Sequence, residues 1–235
     1  MTYWTGLAII RQAQAELGLS QSTSIVGASD VATNQMLALL NSAGNELRTY
    51  YPWQNLKNEF LITTNGSASY ALPSDWGYFV DQTQWDRTNH WPLIGPKSPQ
   101  EWAWIKGGLL ATAPRVRYRV LDDLFYVWPV ATTGTSLAME YVRNTYAQDN
   151  TTAWIEMVAA DTDTPQLDPW LVVKFLKLKF YQLKGFDTVG VLSDFTRLFD
   201  MLTGKDVGAP TISLNRVGPS IFVGPWSVPD GNWNV

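Results

Sequence analysis

The sequence contains no cysteine, which removes disulfides, thiolate metal sites and cysteine nucleophiles together. It contains one histidine, His90. A zinc site built on several histidines is thereby excluded, and a Ser-His-Asp triad would have to use that one residue. An excess of positive charge is also missing: 17 Lys and Arg stand against 21 Asp and Glu, a net charge of −4. Such a chain is not built mainly to coat nucleic acid. No apolar run approaches the roughly 20 residues of a membrane-spanning helix, and no basic, apolar leader opens the chain. These absences predict a soluble protein, made and used without secretion. No Walker A and no strand-linked GxGxxG motif is present, and no cofactor is expected.

What the sequence has in quantity is aromatic side chains. Twelve Trp, ten Tyr and nine Phe make up 13% of its 235 residues. Aromatic rings bring large contact areas to cores and to interfaces alike.

Periodicity divides the chain. Thr2 to Leu19 reads as a helix with Tyr3, Leu7, Ile10 and Leu17 on one face and Gly18 suited to a C-cap. Residues 20–28 are rich in Ser, Thr and Gly and read as a loop. Asp30 then caps a strongly amphipathic helix to Tyr50, with Met36, Leu39, Leu40, Ala43 and Leu47 as its stripe. After Pro52 the texture becomes that of strands: Phe60–Thr64, Ser69–Leu72, Gly77–Gln84, Trp91–Ile94, Arg115–Tyr118, Leu124–Trp128 and Leu137–Asn144. Ser98-Pro99-Gln100-Glu101 is a capping box opening a short helix. Asp168-Pro169 opens a helix to Lys184, and a last helix follows with Val189, Leu192, Phe195, Phe199 and Leu202 as its inner stripe, ended by Gly204.

The predicted class is α+β. A helical bundle is formed by the N- and C-terminal helix pairs (1–51 and 165–204), with an antiparallel β domain (52–164) inserted between them. An extended C-terminal arm (205–235), rich in Gly and Pro, completes the chain.

Candidate chemistry is sparse. His90 lies in a turn-like stretch. Asp161, Asp163 and Asp168 form an acidic loop without the glycine and terminal glutamate of an EF-hand. Glu16, Glu46, Glu59, Glu101, Glu140 and Glu156 could supply a carboxylate pair for glycoside hydrolysis, but no spacing singles one out. Two basic rows stand out. Lys174, Lys177, Lys179 and Lys184 lie on one acid-free helix, and Arg115, Arg117 and Arg119 alternate along a strand. Either row is a solvated face or a surface for an acidic partner or DNA.

One stretch carries a resemblance. Trp53 and Leu56 follow the second helix, a strand and the Asn65-Gly66 turn come next, and Tyr70-Ala71-Leu72-Pro73-Ser74-Asp75 forms a Y-x-L-P-x-D step. This resembles the head-to-tail adaptor (tail tubular, or head-completion) proteins of short-tailed bacteriophages, most clearly over residues 30–80. The residues have fold-forming readings beside it: Trp53 and Leu56 close the helix against the sheet, and Asp75 bonds backbone amides in a turn.

The resemblance implies a non-enzymatic virion protein at the head–tail junction. It implies a ring of twelve copies between the portal protein and the tail nozzle or hub, with genomic DNA passing through without sequence-specific binding. Under that reading the lysine row is an interface or channel face. Ile221, Phe222, Trp226 and Trp233 anchor the arm on portal or neighbour. Some members of that family degrade cell wall, and no motif here carries that activity over. A tail-borne peptidoglycan hydrolase and a carbohydrate-binding module are the alternatives.

Overall fold

A computed structural model describes residues 2–109 and 115–206. It is an α+β structure that divides into two compact units. One holds the described residues up to Lys57 together with those from Arg143 onward, and the other holds Asn58–Val142.

The helical unit has four long helices. Helix α1 (Gly6–Leu17) starts later than the periodicity predicts, because Thr5 caps it by accepting from the Ala8 N–H. Its buried face is Gly6, Ile9, Ile10 and Ala13, so Leu7 and Leu17 are not its core residues. At the other end Gly18 takes the left-handed conformation and closes the last carbonyls. Helix α2 (Val31–Tyr50) is capped by the Asp30 carboxylate and buries Met36, Leu40, Ala43 and Leu47 as predicted, while Leu39 of the predicted stripe is only half-buried.

A short helix, α3 (Pro99–Trp104), belongs to the other unit and has its capping box in place, with Ser98 and Glu101 each accepting from the other's backbone N–H. Helix α4 (Pro169–Lys184) begins at the Asp168 cap and ends at left-handed Gly185, as its sequence signals require. Helix α5 (Val189–Asp206) runs through Gly204 rather than stopping there. Among the described residues no helix is long and apolar enough to cross a membrane.

Helix α4 packs against α1, α2 and α5. Beside the helices, Tyr146 is fully buried against Gly44 of α2, where a Cβ would overlap its ring. Its hydroxyl donates to Asn41 Oδ1 at 2.6 Å, and the same oxygen accepts from the Val158 N–H at 2.9 Å. One asparagine thus ties α2 to the irregular chain that precedes α4.

The β unit carries two sheets. Strands β1 (Lys57–Thr63), β8 (Ser136–Arg143), β4 (Trp85–Asp86) and β5 (Trp91–Pro92) form one in that order, with β3 (Trp76–Phe79) also on β8. Strands β2 (Ser69–Ala71), β7 (Leu124–Trp128) and β6 (Arg117–Leu121) form the other. The β6–β7 hairpin turns on Asp122 and Asp123, both left-handed, the geometry that matches the twist of tight hairpins. The core between them holds Ile62, Tyr118, Phe125, Val127, Leu137 and Met139. Three short strands, β9 (Ala147–Gln148), β10 (Trp154–Ile155) and β11 (Thr164–Pro165), pair within the helical unit.

Candidate assembly surfaces

The four lysines of α4 do not form one free basic face. α4 buries eight residues and is central to its unit, so its long side chains reach past apolar neighbours to the rim. There three of them each find a different helix. Lys174 meets Asp194 of α5 at 3.6 Å, Lys177 meets Glu16 of α1 at 2.6 Å, and Lys179 meets Glu46 of α2 at 2.5 Å. Lys184, in the last turn, lies over the Phe180 ring at 5.4 Å. Burial acts to raise the Glu16 carboxyl, but hydrogen bonds from Lys177 and Gln12 outweigh it, and the group titrates below the ordinary glutamate value. Exposed pairs of this kind contribute about 0–1 kcal/mol each. Their role is to set where three helices sit on α4.

The arginine row differs from its expectation too. Arg115 is buried, Arg117 and Arg119 are half-buried, and Val116 and Tyr118 face the core. This is no open basic face.

The acidic loop is occupied by its own backbone. Asp161 accepts from the N–H groups of Ile25 and Val26, Asp163 from those of Ala159 and Ala160, and Asp168 from that of Leu171. No group of three or more His, Cys, Asp and Glu side chains suited to a metal ion occurs among the described residues.

His90 is exposed with φ of 60° in a tight loop. In that loop Asp86 accepts from the N–H groups of Thr88 and Asn89, and Arg87 pairs with Glu59. The motif residues hold the fold. Trp53 is buried, donates from Nε1 to the Leu47 carbonyl at 2.8 Å and meets Phe199 of α5, so it closes α2 within the helical unit rather than against a sheet. Asp75 accepts from the Tyr141 hydroxyl at 2.7 Å.

The surface that sequence reasoning missed lies along α5. Its stripe of Val189, Leu192, Phe195, Phe199 and Leu202 is not an inner stripe throughout: Phe195 alone is buried, Val189 is 73% exposed and Leu192 47%. Between α2, α4 and α5 runs a groove of about 460 Å³, lined by Tyr50, Phe175, Leu192, Phe195 and Phe199, with the Glu46–Lys179 pair on its rim. Its floor is a ladder of rings: Tyr50 to Phe175 at 6.1 Å, Phe175 stacked on Phe195 at 4.6 Å, and Phe195 to Phe199 at 5.8 Å. The two phenylalanines at 195 and 199 were legible as a helical stripe. Tyr50 and Phe175 were not, because they sit on other helices and join the ladder only in space.

A second, smaller cavity of about 240 Å³ lies where α5 ends, among Trp53, Asn55, Leu167, Asp168, Leu202 and Asp206. The Asp206 carboxylate accepts from the Gln54 N–H at 3.0 Å there. Burial, with Asp206 nearby, raises the Tyr51 hydroxyl above its ordinary value. The arm anchors Ile221, Phe222, Trp226 and Trp233 lie outside the described residues.

Compared with known proteins, residues 1–177 match the profile of a family described as SU10 adaptor protein. The matched span runs from α1 into α4, and α5 lies beyond it. No curated protein matches the chain.

Proposed function

Because the chain belongs to the SU10 adaptor protein family, a family of phage structural adaptors, we propose that it forms a closed ring joining the portal of the head to the nozzle or hub of the tail. The family match over most of the chain is the observation that carries this reading. Twelve copies would surround the channel, and genomic DNA would pass through without being read. The protein works as a structural part of the virion and not as an enzyme.

A ring needs two different faces on each subunit. Among the described residues, the groove side of α5 supplies one apolar face in the helical unit, and exposed Leu61, Tyr78 and Leu121 supply apolar surface in the β unit. Lys184 and the outer parts of Lys174 and Lys177 would meet a neighbour or the channel. Ile221, Phe222, Trp226 and Trp233 would anchor the C-terminal residues on portal or on the next copy.

The test is assembly. The purified chain, mixed with purified portal, is expected to change from monomer to a portal-bound ring by light scattering and electron microscopy. A stable closed dimer that ignores portal would overturn the reading. So would a peptidoglycan-clearing activity of the pure chain that a single Glu→Gln change abolishes.

A further inference from the structure

Charge is segregated along this chain. Residues 102–121 contain four Lys and Arg and no Asp or Glu, while residues 144–173 contain five Asp and Glu and no Lys or Arg. The first stretch belongs to the β unit and the second to the helical unit. Among the described residues, neither Lys106 nor Arg119 forms an ion pair, and neither Asp149 nor Glu156 does.

Each stretch makes a definite surface within its own unit. On the basic side, α3 ends at Trp104, which is 59% exposed. Exposed Lys106 follows, with its Nζ held over the Trp102 ring at 5.5 Å and the Tyr126 ring at 5.7 Å. Arg119 of β6 lies opposite Tyr126 of β7, so a second cation neighbours that ring. On the acidic side, an open cavity of about 570 Å³ is lined by Ile155, Met157, Ala159 and Ala160 together with Asp149 and Glu156. The Thr151 hydroxyl and the N–H groups of Ala153 and Thr151 donate to Asp149. They hold its carboxyl below the ordinary aspartate range, so it stays charged. Glu156 and Met157 are exposed beside it.

We infer that this cavity receives the Trp104–Lys106 corner of a second copy of the chain. The inference rests on the ring reading and names how one copy recognises the next. Corner and cavity are different surfaces, so every copy offers one to each side, and such a head-to-tail series can close. An exposed indole beside a fixed cation fits an apolar cavity that also carries carboxylates. The indole fills the apolar part, and the ammonium meets Asp149 and Glu156. Corner against corner and cavity against cavity both oppose like charges, which works against a two-fold dimer. DNA suits the corner less well, because a few cations on a chain of net charge −4 neutralise few phosphates.

The cysteine-free sequence allows a direct test. Gly107→Cys, at a position where an added Cβ meets nothing, marks the corner, and Ala160→Cys marks the cavity. The two full-length variants, shown to be folded by circular dichroism, carry different isotope labels. They are mixed at high concentration, oxidised and read by mass. Disulfides between unlike variants are expected to exceed those between like variants by at least about tenfold. Adding Lys106→Glu to the first variant should reduce the unlike product to the level of like pairs, and Glu156→Lys in the second should then restore it. Equal shares of like and unlike products overturn the inference. So does charge reversal without effect or without rescue, or closure within one chain that carries both substitutions. Salt-sensitive binding of a DNA oligonucleotide that Lys106→Glu abolishes overturns it as well, by giving the corner to DNA. No portal is present, so the two readings separate: a ring without these cross-links removes this contact alone, and cross-links without a ring on portal remove the ring alone.

Discussion

Helices α4 and α5 follow one another in the chain, span 16 and 18 residues, and both carry many apolar side chains, yet α4 buries eight residues and α5 one. The difference is the number of neighbours. α4 has apolar residues all round and lies among α1, α2 and α5, while α5 rests mainly on α4. A helix enclosed on several sides has its surface committed to the fold. A helix at the edge keeps surface for something else, and that is why the candidate docking groove lies along α5 and not along the lysine-bearing α4.

Substitution sets the two helices against each other most directly. Leu176→Ala in α4 removes a side chain with 0% exposure, and a loss of about 2–5 kcal/mol in unfolding free energy is expected by urea denaturation. Gly44→Ala tests whether close packing in the unit's core is as demanding off α4 as on it. The new methyl meets the Tyr146 ring, and overpacking should cost about 1–3 kcal/mol by the same measurement. Leu192→Ala in α5, nearly half exposed, is expected to cost less than about 1 kcal/mol by the same measurement. If Leu192→Ala cost as much as Leu176→Ala, the contrast between the helices would fail.

The smallest effect concerns the rim. Glu16 has its carboxyl depressed in the folded state by Lys177 and Gln12. Its stabilisation is therefore present above the unfolded glutamate pKa and lost as pH falls through the lower folded value. Glu16→Gln should flatten the acid side of the stability profile between about pH 5 and pH 3, by no more than about 1 kcal/mol. Thermal melts across that range check it, and raised salt should shrink the difference.

How much of this was legible differs from helix to helix. The span of α4 could be read to the residue, because Asp168, Pro169 and Gly185 mark both ends. The start of α1 could not, since Thr2 to Thr5 continue an apolar pattern that only the Thr5 side chain interrupts. The lysine row was visible as sequence, but its acids come from Glu16, Glu46 and Asp194 on three separate helices. The Arg115 row looked like an exposed strand face, and the fold buried its first member.

The sequence by itself determined both ends of α4, the capped starts of α2 and α3, the α+β class, and the adaptor-like motif from Trp53 to Asp75. Those signals are local: a cap, a turn or a period is satisfied within a few residues of its own position. Only the tertiary structure decided that Lys177 finds Glu16, that Tyr146 closes on Gly44, and that α5 lies open beside Tyr50 and Phe175. Coverage and pairing depend on which distant segments arrive, and a stripe of apolar side chains looks the same in sequence whether or not a neighbour comes to cover it.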